Sequence, residues 1–109
     1  MVYPKKLENL IECYKKLPTI GEKSAERLAL ATLDMSTEDV ENFSKNLLIA
    51  KNELLKCKIC GNLSDTEICY VCSDEKRDEN IICVIEDSKS IFTLEKVGNF
   101  VGMYHVLDG

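Results

Sequence analysis

Cys57-Lys58-Ile59-Cys60 and Cys69-Tyr70-Val71-Cys72 are two Cys-x-x-Cys turns with eight residues between them. No other stretch restricts the fold so strongly. Each turn presents two thiolates at short range, and two such turns can close four sulfurs tetrahedrally around one zinc ion. Four cysteines fill that coordination sphere, so the predicted site is structural, with no position left for water or substrate. Two readings compete. A pair of disulfides would suit a small secreted domain, and a redox pair would suit a Cys-x-x-Cys that opens a helix after a strand. Against them, the opening Met1-Val2-Tyr3-Pro4-Lys5-Lys6 lacks the apolar segment of a secretory signal, and the motif comes doubled. The spacing therefore predicts one zinc per chain on Cys57, Cys60, Cys69 and Cys72.

At 109 residues the chain is about one domain long, and with 6% aromatic residues and no Trp its core must come from Leu, Ile, Val and Ala. Cores of that size are marginal, so a metal staple makes energetic sense. No apolar run is long enough to cross a bilayer, and unpaired thiols point to a reducing cytoplasm. The net charge of −5 is unevenly placed: residues 1–33 carry six Lys or Arg against four Glu, and every later segment is acidic. Zinc-bound thiolates add negative charge to the cysteine segment. Contact with a polyanion therefore falls to the first 33 residues.

Residues 4–17 read as a helix, with Pro4 in its first turn and Leu7, Leu10, Ile11, Tyr14 and Leu17 on one face. Pro18 and Gly21 break it. A second helix runs from Glu22 to Leu33 with Ala25, Leu28, Ala29 and Leu33 inward, giving an αα-hairpin. A Gly-containing loop entering a helix aims backbone N–H groups outward, which suits a phosphate. Lys23 and Arg27, four apart, project from one side of that helix. Phosphate contacts need no more than this and carry no base specificity. A plain packing hairpin remains the other reading.

The run Leu17-Pro18-Thr19-Ile20-Gly21-Glu22-Lys23-Ser24-Ala25-Glu26-Arg27-Leu28-Ala29 resembles the helix-hairpin-helix of the RecR family of bacterial recombination mediators. That family's pattern is close to L-P-G-I-G-x-K-S-A-x-R-L-A. Thr19 departs from it, standing where the family carries the first hairpin glycine. A threonine there narrows the backbone freedom of the loop.

Ser36 is a good N-cap for a third helix, with Asp39 in its first turn, running to about Lys56. Val40, Phe43, Leu47, Ala50 and Leu54 form a stripe at alternating steps of three and four. Packing of this stripe on the hairpin is expected ahead of a dimer seam. Within the cysteine turns, Ile59, Tyr70 and Val71 are expected to cover the metal site, with stacking of Tyr70 on a base as the lesser reading. Cys69 to Asp78 extends the resemblance, because RecR proteins carry a Cys-x-x-Cys-Ser-Asp-x-x-Arg-Asp run.

Ile81 to Ile85 reads as a buried strand of a parallel sheet, with Cys83 as a small core residue. Ser88 can cap a helix over 90–97 with Ile91, Leu94 and Val97 inward, and Gly98 suits its C-terminal cap. Phe100 to Leu107 reads as a second strand, making a βαβ unit. Glu86 follows the first strand, where α/β sheets place their chemistry, and it resembles the glutamate that opens a Toprim domain. No Asp-x-Asp pair accompanies it and Asp108 is a lone acid, so the carboxylates of a catalytic magnesium site are missing. His105 has no nucleophile pattern beside it.

The fold class expected is thus α+β and multi-module. A helical helix-hairpin-helix region spans 1–56, a small four-cysteine zinc finger 57–72 and a linker 73–80. The incomplete start of a Toprim-type α/β domain spans 81–109. Family members are nearly twice as long, so a truncated chain, or one whose sheet needs a partner, is expected. The resemblance implies a non-enzymatic DNA-binding mediator that works with RecO and RecF to load recombinase at single-stranded gaps. It further implies a dimer or ring-like tetramer in the bacterial cytoplasm at the nucleoid, without a membrane role. A Toprim nuclease or primase fragment, and a zinc-stapled module that binds only protein, are the alternatives.

Overall fold

The computed structural model describes residues 2–107; Asp108 lies outside them. In chain order the elements are α1 (Lys5–Lys15), α2 (Glu22–Leu33), α3 (Thr37–Glu53), β1 (Leu55–Lys56), β2 (Leu63–Ser64), β3 (Asp78–Ile85), α4 (Ser88–Val97) and β4 (Gly102–Val106). The chain divides into two compact units, Met1–Leu47 and Leu48–Gly109, with the division inside α3.

In the first unit α1 packs on α2. Pro4 precedes α1, and its carbonyl accepts the Glu8 N–H at 3.0 Å. The core is Ile11 with Ala25 and Ala29, ringed by Tyr3, Leu7, Leu10, Tyr14 and Ile20. The two alanines have no bulk to hold α1 off, which is why the helices meet there. Tyr14 Oη lies 2.5 Å from Thr32 Oγ1, and Thr32 in turn donates to the Leu28 carbonyl at 2.8 Å. Leu17, Leu28 and Leu33, which the helical pattern places inward, are exposed. Two helices bury one stripe each, and that stripe is used up at Ala25 and Ala29.

Ser36 caps α3 as expected, its Oγ accepting the Asp39 N–H at 3.1 Å. The apolar stripe of α3, however, is not buried against the hairpin. No α3 residue is buried, Val40 is half-buried, and Phe43, Leu47 and Leu54 are exposed. Within the first unit this leaves an apolar groove of about 330 Å³ whose lining includes Leu10, Leu17, Val40, Phe43 and Leu47. Leu17, Leu28 and Leu33 of the hairpin stay exposed as well, so apolar surface is left open on both sides.

In the second unit β1 and β2 pair antiparallel, Leu55 with Ser64 and Lys56 with Leu63. The strands β3 and β4 pair in parallel, Cys83 with Tyr104, Val84 with His105 and Ile85 with Val106. Asp87, rather than the expected Ser88, caps α4, accepting the Ser90 N–H at 3.0 Å. Gly98 closes the helix in the left-handed region at φ +81, where a glycine carries no Cβ penalty. The strand expected to be buried is covered on one face only: Ile82 and Val84 are exposed, while Cys83 and Ile85 face the core. Two strands and one helix cover one side of a sheet. Likewise Ile91 of α4 is fully buried, whereas Val97 is exposed. The stretch 73–80 differs from the expected linker, since β3 begins at Asp78 and the half-buried Arg77 is a contact point, described below.

Candidate metal centre and helical hairpin

The turns that carry the four cysteines are built by backbone bonds. Cys57 N–H donates to the Asn62 carbonyl at 2.7 Å, and Gly61 N–H to the Cys57 carbonyl at 2.9 Å. Gly61 closes that turn at φ +85. In the second turn, Ser73 N–H donates to the Cys69 carbonyl at 3.0 Å. Further N–H groups turn onto sulfur: Cys69 N–H donates to Cys57 Sγ at 3.3 Å and Asn62 N–H to Cys60 Sγ at 3.4 Å. These bonds stabilise thiolate charge and fix the orientation of the sulfurs.

The four Sγ atoms lie within 4.8 Å of one another. A tetrahedral zinc site with bonds of about 2.3 Å sets its sulfurs about 3.8 Å apart, and Cys60 and Cys69 Sγ are 3.6 Å apart. That is far longer than a disulfide bond of about 2.05 Å, and all six cysteines are free. Burial would raise the Cys57 thiol, but the N–H groups of Cys69, Cys60 and Ile59 bring it down to about 6. Burial pushes Cys60 up to about 11 against the pull of the Asn62 N–H. Cys72 is also driven up, by burial first and then by the neighbouring sulfurs of Cys60 and Cys57. Four thiols this close cannot all ionise against one another, and a divalent cation removes the conflict. The donor set fits zinc.

Coverage of the site differs from expectation. Val71 is fully buried, but Ile59 and Tyr70 are exposed. The remaining cover comes from Ile91 of α4 and Tyr104 of β4, which share one core cluster with Cys57, Cys60 and Cys69. Sequence reasoning also missed a polar cluster beside it. Arg77 Nη1 donates to Glu95 Oε2 at 3.2 Å and to the Gly102 carbonyl at 3.1 Å, while Nη2 bonds Glu95 Oε1. Tyr104 Oη donates to Glu95 Oε2 at 2.5 Å. Hydrogen bonding from Arg77 holds the Glu95 carboxyl below the usual range, against its burial and with help from Tyr104. Burial, then Glu95, holds the Tyr104 hydroxyl well above its ordinary value. The Arg of the Cys-Ser-Asp-x-x-Arg-Asp run was the available signal.

The hairpin places Lys23 and Arg27 on the exposed surface of α2, and among the described residues neither enters an ion pair. Lys15, by contrast, pairs with Glu22 at 2.7 Å and Glu12 at 3.4 Å. Gly21 caps α2 with no side chain over the helix end, and a Cβ there would meet nothing within 4 Å. Its φ of −87 is open to any residue; the left-handed position in this turn is Thr19, at φ +66. Glu86 stands exposed after β3 and His105 is exposed on β4. Among the described residues, the four cysteines are the one group of three or more Cys, His, Asp or Glu placed to share an ion.

A basic two-helix hairpin followed by a four-sulfur knuckle defines a helix-hairpin-helix protein with a four-cysteine finger. The family model for the RecR helix-hairpin-helix matches residues 7–51, and that for the RecR four-cysteine zinc finger domain matches residues 56–74. The Recombination protein RecR of Streptococcus equi subsp. equi (strain 4047) is 54% identical over all 109 residues, which cover 55% of that relative. The proteins of the same name from Streptococcus mutans serotype c and Streptococcus pyogenes serotype M5 are 52% and 51% identical over the same span, again 55% of each. The chain belongs to the RecR family, and it spans about half the length of the curated relatives it matches.

Proposed function

We propose that the chain is the DNA-contacting and metal-stapled part of a recombination mediator acting in DNA repair. The observation that carries this is the α2 start: Lys23 and Arg27 are exposed, without an ion pair among the described residues and one turn apart, beside a helix end left open by Gly21. Phosphates fit such a site through charge and backbone N–H groups, without base readout. Cys57, Cys60, Cys69 and Cys72 hold one structural zinc, whose charge keeps four thiolates together. The role is non-enzymatic: the protein works with RecO and RecF at single-stranded gaps in the bacterial cytoplasm. The uncovered stripe on α3 supports assembly into a homo-oligomer. No described helix is long and apolar enough to cross a membrane.

The test is the salt dependence of DNA affinity. Each phosphate contact steepens the slope of log K against log salt by about 0.7–0.9. Lys23→Ala with Arg27→Ala should flatten that slope by about 1.4–1.8 and weaken binding alike on unrelated sequences, with circular dichroism unchanged. An unchanged slope and affinity would remove these two residues from the interface.

A further inference from the structure

We propose that Arg77, Glu95 and Tyr104 form a latch through which zinc binding at the cysteine knuckle and folding of the strand–helix–strand segment control one another. This rests on the zinc reading above. The knuckle has no core of its own: Cys57, Cys60, Cys69 and Val71 pack in a single cluster with Ile91 of α4 and Tyr104 of β4. Hydrogen bonds from backbone N–H groups tie the same parts. Val106 N–H donates to the Cys60 carbonyl at 2.8 Å, and Leu63 N–H donates to Ser88 Oγ at 2.9 Å. Gly61 sits so close to β4 that a Cβ there would lie 3.3 Å from Val106 Cβ.

The latch closes this arrangement from the other side. Arg77 follows the second Cys-x-x-Cys turn, and its side chain is 11% exposed against 16% for Glu95. One guanidinium thereby joins the tail of the knuckle to α4 through Glu95 and to β4 through the Gly102 carbonyl. Tyr104 completes it, its ring among the cysteines and its hydroxyl on Glu95. Buried ion pairs contribute little net stability, so position is the better account of this one. Metal binding to a site that forms only on folding is itself folding free energy. Linkage then requires that whatever loosens α4 and β4 weakens zinc binding, and that zinc loss loosens α4 and β4. The hairpin, with its separate core at Ile11, Ala25 and Ala29, stands outside this coupling.

Tyr104→Phe keeps the ring in the cysteine cluster and removes only the hydroxyl on Glu95, leaving the four sulfur ligands themselves unaltered. Zinc affinity of the full chain, wild type and variant, is read by competition with a chromophoric chelator. Both should bind one zinc, the variant about tenfold more weakly, as for loss of a hydrogen bond to a charged group. One zinc at unchanged affinity overturns the latch alone. A wild-type chain that takes up no stoichiometric zinc overturns the zinc reading as well. Hydrogen exchange on the wild-type chain after chelation gives the second readout. Amides of Cys83 to Ile85 and Met103 to Val106 should lose protection together with the knuckle, while Ala25 to Ala29 keep theirs. Strands that stay protected, or protection lost from α2 as well, overturn the proposal.

Discussion

Thr19 occupies the left-handed region at φ +66, directly after Pro18, in a turn closed by Ile20 N–H donating to the Leu17 carbonyl at 3.4 Å. Proline followed by a positive φ is the arrangement that favours glycine at the second position. This is the physical reason for the glycine in the family pattern, and for a β-branched residue being strained there. Thr19→Gly relieves strain of about 1–3 kcal/mol and gives back about 0.4–1 kcal/mol through a freer unfolded chain. A net gain of about 1 kcal/mol should appear in urea unfolding. That the four cysteines converge was legible, because two short Cys-x-x-Cys turns this close in sequence bring their sulfurs together. Arg77 was not: a charged residue in a polar run looks solvated until Glu95 and Gly102, eighteen and twenty-five positions away, are known to meet it.

Helix α3 shows what periodicity can and cannot tell. Its cap at Ser36 was readable, since the side chain serves its own helix. Ser36→Ala should cost about 1 kcal/mol, measured by thermal unfolding. The fate of its apolar stripe was not readable, because burial depends on whether a partner surface is still free. The same holds for β3, where a continuous apolar run resembles a doubly covered strand although only one face is packed. The pairing of β3 with β4 rests on a close approach at Gly102. A Cβ there would lie 2.6 Å from the Ile81 carbonyl oxygen and 2.7 Å from the Phe100 ring. Since the first neighbour is backbone, Gly102→Ala must displace a strand. A loss of about 1–3 kcal/mol, typical of overpacking, is expected in the melting temperature.

At the scale of the whole molecule, the order of parts was legible: helical hairpin, finger, then strand–helix–strand. What the sequence did not disclose is that the finger belongs to the same core as the strands. The finger is thus a keystone of the second unit. The proposed function divides the work accordingly: zinc is assigned to the second unit, and contact with DNA to the hairpin of the first. Hydrogen exchange with and without a short DNA strand tests that division most directly. Slowed exchange over residues 18–27 and unchanged exchange over residues 57–72 are the predicted result. Protection centred on the finger, around the exposed Tyr70, with none on the hairpin, would contradict it.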